Sequence, residues 1–530
     1  MVLKRTRHPT MSRTAGVLIP LFSLRSATDW GVGEISDLLP FARWSAGAGV
    51  GVVQVLPVAE AARGQNSPYA ALSAFAIDPV YLAIDGLDDF AAAGGHDALA
   101  PADRTLLAEV RRSPAVRWNE VRALKTRALE LAFQSFVRTE WQRKTRRARE
   151  LERFAREQAI WIDDYALFVA IHDEQMGGRS WLEWPAPLRD REPGAMADTR
   201  ATLSERVLFR VWLQWLCDRQ WHAARRGANA VGVELAGDIP FMVAGDSADV
   251  WARRDDFRLD ARVGVPPDAF SATGQDWGLP VYRWAEMEAG GHVWMTSRSE
   301  RMADLYGLYR VDHVVGLYRT YYFPDDGSPP AFVPADETVQ VANGEAMMAL
   351  FSRRARVIAE DLGVVPDFIR TSLDALEIPG YRVQRWEREW NLPGQPFRDP
   401  AGWPAVSVAT SGTHDTDSLA DWYESLGAED RRALLALPAL AALRERAPVR
   451  FDDGVRDALL ELLYGSSSDL LLLPFQDLLG QRERVNVPGT VNDQNWTYRM
   501  PTTISALISN LPVRLRLRGL AERSGRTTLL

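Results

Sequence analysis

Short apolar runs alternate with helical patterns along most of this chain, and that alternation constrains the fold more than any other feature. The first run covers residues 16–22 and the second residues 52–56. Between them lies a turn-rich stretch, then an amphipathic helix from about Glu34 to Ala48 that Gly49 and Gly51 end, so the segment reads as a βαβ unit. A third run covers residues 231–236, and later ones end at Asp312, Asp361, Arg385, Thr410 and near Leu473. Eight strands alternating with helices predict an α/β chain, a (β/α)8 TIM barrel with large, mainly helical insertions and no separate C-terminal β-domain. The expected organisation is an extension at 1–15 and a barrel at 16–530. A mainly helical insertion is expected at about 86–230, and covering loops at about 241–305.

Within the insertion the densest charge falls at residues 138–157, where Glu140, Glu150, Glu152 and Glu157 interleave with Arg and Lys. That pattern predicts a solvated helix face. The aromatic segments 161–168 and 181–184 are expected to pack the insertion against the main body. Residues 263–278, rich in Gly and Pro and holding Phe270 and Trp277, read as a long functional loop without periodicity.

Composition narrows the partners. A net charge of −8 argues against nucleic acid or an anionic membrane as the main ligand. No apolar run is long enough to span a bilayer. The lone Cys217 allows no intrachain disulfide and no cysteine metal cluster, and it points to a reducing, cytoplasmic setting. His414 and Asp415 are adjacent and not at ligand spacing, so neither metal nor cofactor is expected. The nineteen Trp suit a neutral ligand with apolar faces, because sugar rings pack on indoles while their hydroxyls need polar partners.

A barrel of this kind places its site at the C-terminal strand ends, and Asp312, Glu360 and Asp415 fall there. Arg310, two residues before Asp312 on the same strand face, keeps that carboxylate ionised, as a nucleophile requires. Glu360 follows an apolar strand, so partial desolvation raises its pKa and suits a general acid. Asp415 beside His414 is placed to grip sugar hydroxyls as the ring flattens towards the transition state. Two carboxylates flanking a bond are the apparatus of glycoside cleavage. Tyr69, after Pro68 and before small residues, reads as a rigid aromatic platform.

The chain resembles 4-α-glucanotransferases of the amylomaltase, or disproportionating-enzyme, family within the α-amylase clan. Ser67-Pro68-Tyr69, Gly237-Asp238-Ile239-Pro240, Arg310-Val311-Asp312-His313, Ala359-Glu360-Asp361-Leu362-Gly363, Gly412-Thr413-His414-Asp415 and Asn495-Trp496 carry the likeness, in that order, from about Gly16 to Met500. It implies α-1,4-glucan transfer by a retaining double displacement, with Asp312 as nucleophile, Glu360 as acid/base and Asp415 as transition-state stabiliser. It further implies substrate contacts from Tyr69, Arg310, His313 and His414, and an acceptor-side loop carrying Asp268, Phe270 and Trp277. Maltooligosaccharides and α-1,4-glucans would be donors and glucose an acceptor. The chain departs from the family pattern after Asp312, at Val314-Val315, and around residues 381–390. An α-glucan hydrolase on the same scaffold and a silent glucan-binding paralogue are the alternatives.

Overall fold

The computed structural model describes residues 13–267, 273–490 and 492–526. Among these residues twelve strands form in chain order: β1 (Thr14–Leu18), β2 (Val52–Gln54), β3 (Glu234–Ile239), β4 (Phe257–Val265), β5 (Gln275–Tyr282), β6 (Leu308–Val311), β7 (Thr320–Pro324), β8 (Ala331–Val333), β9 (Arg356–Ala359), β10 (Gly380–Val383), β11 (Ser407–Thr410) and β12 (Leu470–Pro474). Eight of them close a parallel barrel in the order β1-β12-β11-β10-β9-β6-β3-β2. Each predicted apolar run supplies one barrel strand. Strands covered on both faces read as continuous apolar runs, and β12 is buried along its whole length. Helices Leu38–Gly47, Ser204–Ala230, Val293–Leu305, Glu337–Phe351, Asp367–Ala375, Asp453–Tyr464 and Leu511–Arg523 belong to the layer outside it.

The barrel interior sets up the site. Val52, Ala236, Leu308, Ile358, Val383, Val408 and Leu472 pack together inside it. Side chains alternate along a strand, so residues two positions further on face the same way. On β2, β3 and β6 those are Gln54, Asp238 and Arg310, and beyond β9 the next is Glu360. The apolar plug thus gives way to charge at the C-terminal ends of the strands.

Helices Pro101–Arg112, Trp118–Phe136, Arg146–Glu157 and Ala159–Ala170 occupy the region between β2 and β3. Helix Arg146–Glu157 buries Ala148, Leu151 and Phe154, a single stripe at helical spacing, and leaves most of its charges to water, while Arg147 turns in to pair with Asp89. Trp161 stacks on Phe75 with centroids 5.8 Å apart, and Trp184 and Phe168 meet Trp251 at 5.8 and 5.6 Å. These rings join the insertion to the segments that follow β2 and β3. No helix among the described residues is long and apolar enough to cross a membrane.

One expectation is overturned. Residues 263–278 are not wholly irregular, because β4 and β5 form an antiparallel hairpin at the edge of a four-stranded sheet, β5-β4-β7-β8. Gly264 is where the two strands come closest, and a Cβ there would lie 2.0 Å from the Gln275 carbonyl oxygen. The glycines and prolines that hid the strand period are partly what allows this close pairing.

Candidate active site

Asp312 and Glu360 are the first residues beyond β6 and β9, and backbone pairing holds both in register. The Asp312 N–H donates to Ile239 O at 3.1 Å and the Glu360 N–H to Val311 O at 3.0 Å. Arg310 lies between the acidic groups. Its Nη1 donates to both oxygens of Asp238, at 2.8 and 2.9 Å, and sits 2.8 Å from Asp312 Oδ1, while Nη2 is 4.0 Å from Glu360 Oε2. Arg310 and Asp238 are buried, and the Asp312 side chain keeps a quarter of its surface open. A buried guanidinium shared among carboxylates is held in one orientation and keeps its charge.

Glu360 is wired from its own rim. The His313 N–H donates to Oε2 at 2.8 Å and the Leu362 N–H to Oε1 at 3.1 Å. Burial is the largest influence on this carboxyl and pushes it up to about 7. Arg310 and the His313 N–H oppose the rise and Asp312 adds to it. Burial raises Asp238 as well, against the pull of Arg310.

Asp415 reaches the rim from the loop that follows β11. Asn486 Nδ2 donates to its Oδ1 at 2.7 Å, and His414 Nε2 lies 3.3 Å from Oδ2. Burial works against ionisation here, but His414 and Asn486 overcome it and hold the carboxyl down at about 2. Burial likewise opposes the His414 imidazolium, and the Asp415 charge beside it outweighs that effect and raises the His414 pKa.

Aromatic rings join these groups. Tyr69 stacks on His414 with centroids 5.2 Å apart and planes at 15°, and its hydroxyl donates to Asp238 Oδ2 at 2.7 Å. Trp496 closes a three-ring cluster at 5.9 Å from each of the other two. On the opposite flank the His313 ring meets Trp277 of β5 edge-on at 4.9 Å and Phe241 at 5.5 Å. His313 has a left-handed backbone, φ 44°, which turns the chain directly after Asp312. Burial lowers its pKa to about 4.

A continuous path of contacts therefore runs from Asp415 through His414, Tyr69, Asp238 and Arg310 to Asp312 and Glu360. The family model described as 4-alpha-glucanotransferase matches residues 19–505.

The chain belongs to the 4-alpha-glucanotransferase family.

Among its relatives, the 4-alpha-glucanotransferase of Chlamydia trachomatis is 31% identical over 93% of this chain and 92% of its own length. That of Thermus thermophilus is 32% identical over 92% of this chain and 95% of its own. The structure of amylomaltase from Streptococcus agalactiae in complex with acarbose superposes with a TM-score of 0.82 at 25% identity, covering 97% of this chain and all of that one. The protein is accordingly an enzyme, a 4-α-glucanotransferase on a parallel eight-stranded barrel.

Of the residues singled out from this glucanotransferase's sequence, Tyr69, Arg310, Asp312, His313, Glu360, His414, Asp415 and Trp277 gather on the C-terminal rim. Asp268 and Phe270 lie outside the described residues. Asp238, Asn486 and Trp496 also belong to the constellation, and reading residue by residue did not single them out. An acid inside an apolar strand was the signal available for Asp238. Asn486 and Trp496 lie in stretches that follow the family pattern, but no role was assigned to either. Away from the rim, Asp218, His222 and Asp304 come within metal-ligand reach of one another. Arg301 Nη1 donates to both carboxylates at 2.8 and 2.9 Å, and His222 bridges them, so the group is closed as an ion-pair network.

Proposed function

We propose that this 4-α-glucanotransferase moves α-1,4-linked glucan segments to the 4-hydroxyl of glucose or a maltooligosaccharide by a retaining double displacement. The observation that carries the reading is the Arg310 guanidinium, 2.8 Å from Asp312 and 4.0 Å from a Glu360 carboxyl whose pKa is about 7. One carboxylate is thereby held by a cation while its neighbour keeps a proton near neutrality, which is the division of labour that glycoside cleavage needs.

In the first step an Asp312 oxygen bonds to the anomeric carbon of the donor as the C1–O4 bond breaks, and Glu360 gives its proton to the departing O4. In the second, the Glu360 carboxylate takes the proton of an acceptor 4-hydroxyl, whose oxygen displaces Asp312 from C1. Asp415, fixed by His414 and Asn486, grips ring hydroxyls more tightly as the sugar flattens. Tyr69 offers its ring to the sugar at the cleavage point. The β4–β5 hairpin, seated on His313 through Trp277, shields the glycosyl-enzyme so that a sugar hydroxyl is favoured over water.

The Streptococcus agalactiae amylomaltase is in complex with acarbose, and the rim that holds Asp312, Glu360 and Asp415 here is read as the glucan site. A cytoplasmic setting belongs to this reading and is supported by the single, buried Cys217. Product analysis on maltotriose tests the reaction: glucose together with longer maltooligosaccharides is expected. Reducing ends that accumulate without elongation would replace transfer by hydrolysis. The Asp312→Ala enzyme should lose at least about 10³-fold in kcat, and activity equal to the parent would overturn its role.

A further inference from the structure

Most of the nineteen Trp are buried or half-buried, but Trp386 and Trp390 are 38% and 57% exposed. Both lie in one short segment, which leaves β10 on the catalytic rim between the strand that carries Glu360 and the strand that feeds the Asp415 loop. Exposed indoles gathered in one place on a soluble surface mark a contact site more often than isolated apolar residues do.

The segment is a rigid finger. The Glu389 N–H donates to Pro396 O and the Arg398 N–H to Glu387 O, both at 2.9 Å, so two arms are paired. Gly394, with φ +74°, lies in the turn at its tip. Arg388 is buried beneath, over the Phe397 ring at 4.0 Å and 5.9 Å from the Trp390 ring, and its Nη1 donates to Asp430 Oδ1 at 2.8 Å. At the root, the Arg385 side chain donates to Ser411 O and Asp417 O at 2.9 and 3.0 Å, which clamps the finger to the loop that holds His414 and Asp415.

We propose that this finger is an outer glucan-binding platform, with Trp390 stacking on a glucose ring remote from the reaction centre and Trp386 continuing the surface towards the cleft. The proposal rests on the reading of the rim as the glucan site. The chemistry of the finger selects a neutral occupant. Its charges are internally matched, Arg388 by Asp430 and Glu389 by Arg398, and the exposed groups around the indole are Leu392 and the amides Asn391 and Gln395. Apolar ring faces edged by hydroxyls fit such a surface, and a charged partner does not. An α-1,4-glucan whose far end lies between Asp312 and Glu360 is the ligand that the proposed reaction brings to this rim.

The test compares short and long donors in the full-length enzyme. For Trp390→Ala the KM for long amylose should rise about two- to ten-fold, while kcat/KM on maltotriose stays at the parent value. Trp390→Phe, which keeps a ring, should restore most of the amylose KM. Unchanged amylose kinetics, or an equal loss on both donors, would overturn the platform. So would a change in sedimentation coefficient with the amylose KM unaltered, which would make the finger a contact between copies. The Asp312→Ala enzyme, assayed in parallel, reports on the catalytic assignment separately, since its inactivity does not depend on the Trp390 result.

Discussion

Arg310 is the residue on which the site turns. It touches Asp238, Asp312, Glu360 and Tyr69, and a planar guanidinium holds its donors in fixed directions towards these oxygens. Burial disfavours the Asp238 charge and Arg310 is its main counterweight, with the Tyr69 hydroxyl also donating to it, so Asp238→Ala should destabilise the fold by about 3–5 kcal/mol. Denaturant midpoints would show that loss, together with a fall in kcat as Arg310 loses one of the carboxylates that orient it. Glu360 sets the pH response. Its carboxyl must be protonated to start the reaction, and burial has lifted it to about 7, so kcat/KM should fall about ten-fold per unit above that pH. Asp415, held near 2, should stay ionised over the working range and add no acid limb above pH 4. A pH profile of Glu360→Gln, which has no proton to lose there, should show the alkaline limb gone along with most of the activity. An alkaline limb that survives this change would assign it to another group.

At the scale of elements, the hairpin of β4 and β5 does what a loop could not. Its pairing with β7, through Arg262 opposite Phe323 and Gly264 opposite Tyr321, gives the strand that carries Trp277 a fixed height above the rim. Trp277 then meets the ring of His313, whose backbone N–H holds Glu360. Trp277→Ala should therefore raise the share of hydrolysis products from maltotriose while transfer persists, as product chromatography would record. An unaltered ratio of free glucose to longer sugars would mean that the cover is held by other contacts. This hairpin was not legible in sequence. Gly264, Pro266, Pro267, Gly278 and Pro280 break the two-residue period, and the partner strand lies about sixty residues downstream. The barrel strands were legible, because strands buried on both faces are apolar throughout, as in Leu470 to Leu473.

Across the whole molecule, the barrel closes where its first strand, β1, meets its last, β12, with Thr14 opposite Leu470. Arg526 clasps that seam. Fully buried, it donates to the carbonyl oxygens of Tyr464, Ser466 and Ser468 at 2.9, 2.8 and 2.6 Å, and to those of Thr14 and Asp469 at 3.4 and 3.2 Å. Arg526→Ala would strand several buried carbonyls at once and should lower stability by about 2–4 kcal/mol. The kcat on maltotriose at moderate temperature should be unchanged, since the site is at the other end of the barrel. A loss of kcat that precedes any loss of stability would show the two ends to be coupled.

What the sequence determined by itself was whatever is encoded within a few residues of chain. That includes the strand and helix periods, their number and order, the fold class they imply, and the acids that fall where strands end, Asp312 and Glu360. Tertiary structure decided the partnerships. Arg310 meets Asp238 across 72 residues, and Asn486 meets Asp415 across 71. It decided which tryptophans are core and which two stand in water, and that residues 263–278 contribute to a hairpin. The reason is physical. Backbone period and side-chain alternation are local properties, whereas burial, charge pairing and the pKa values that follow from them exist only once closing the barrel has removed water from between distant groups.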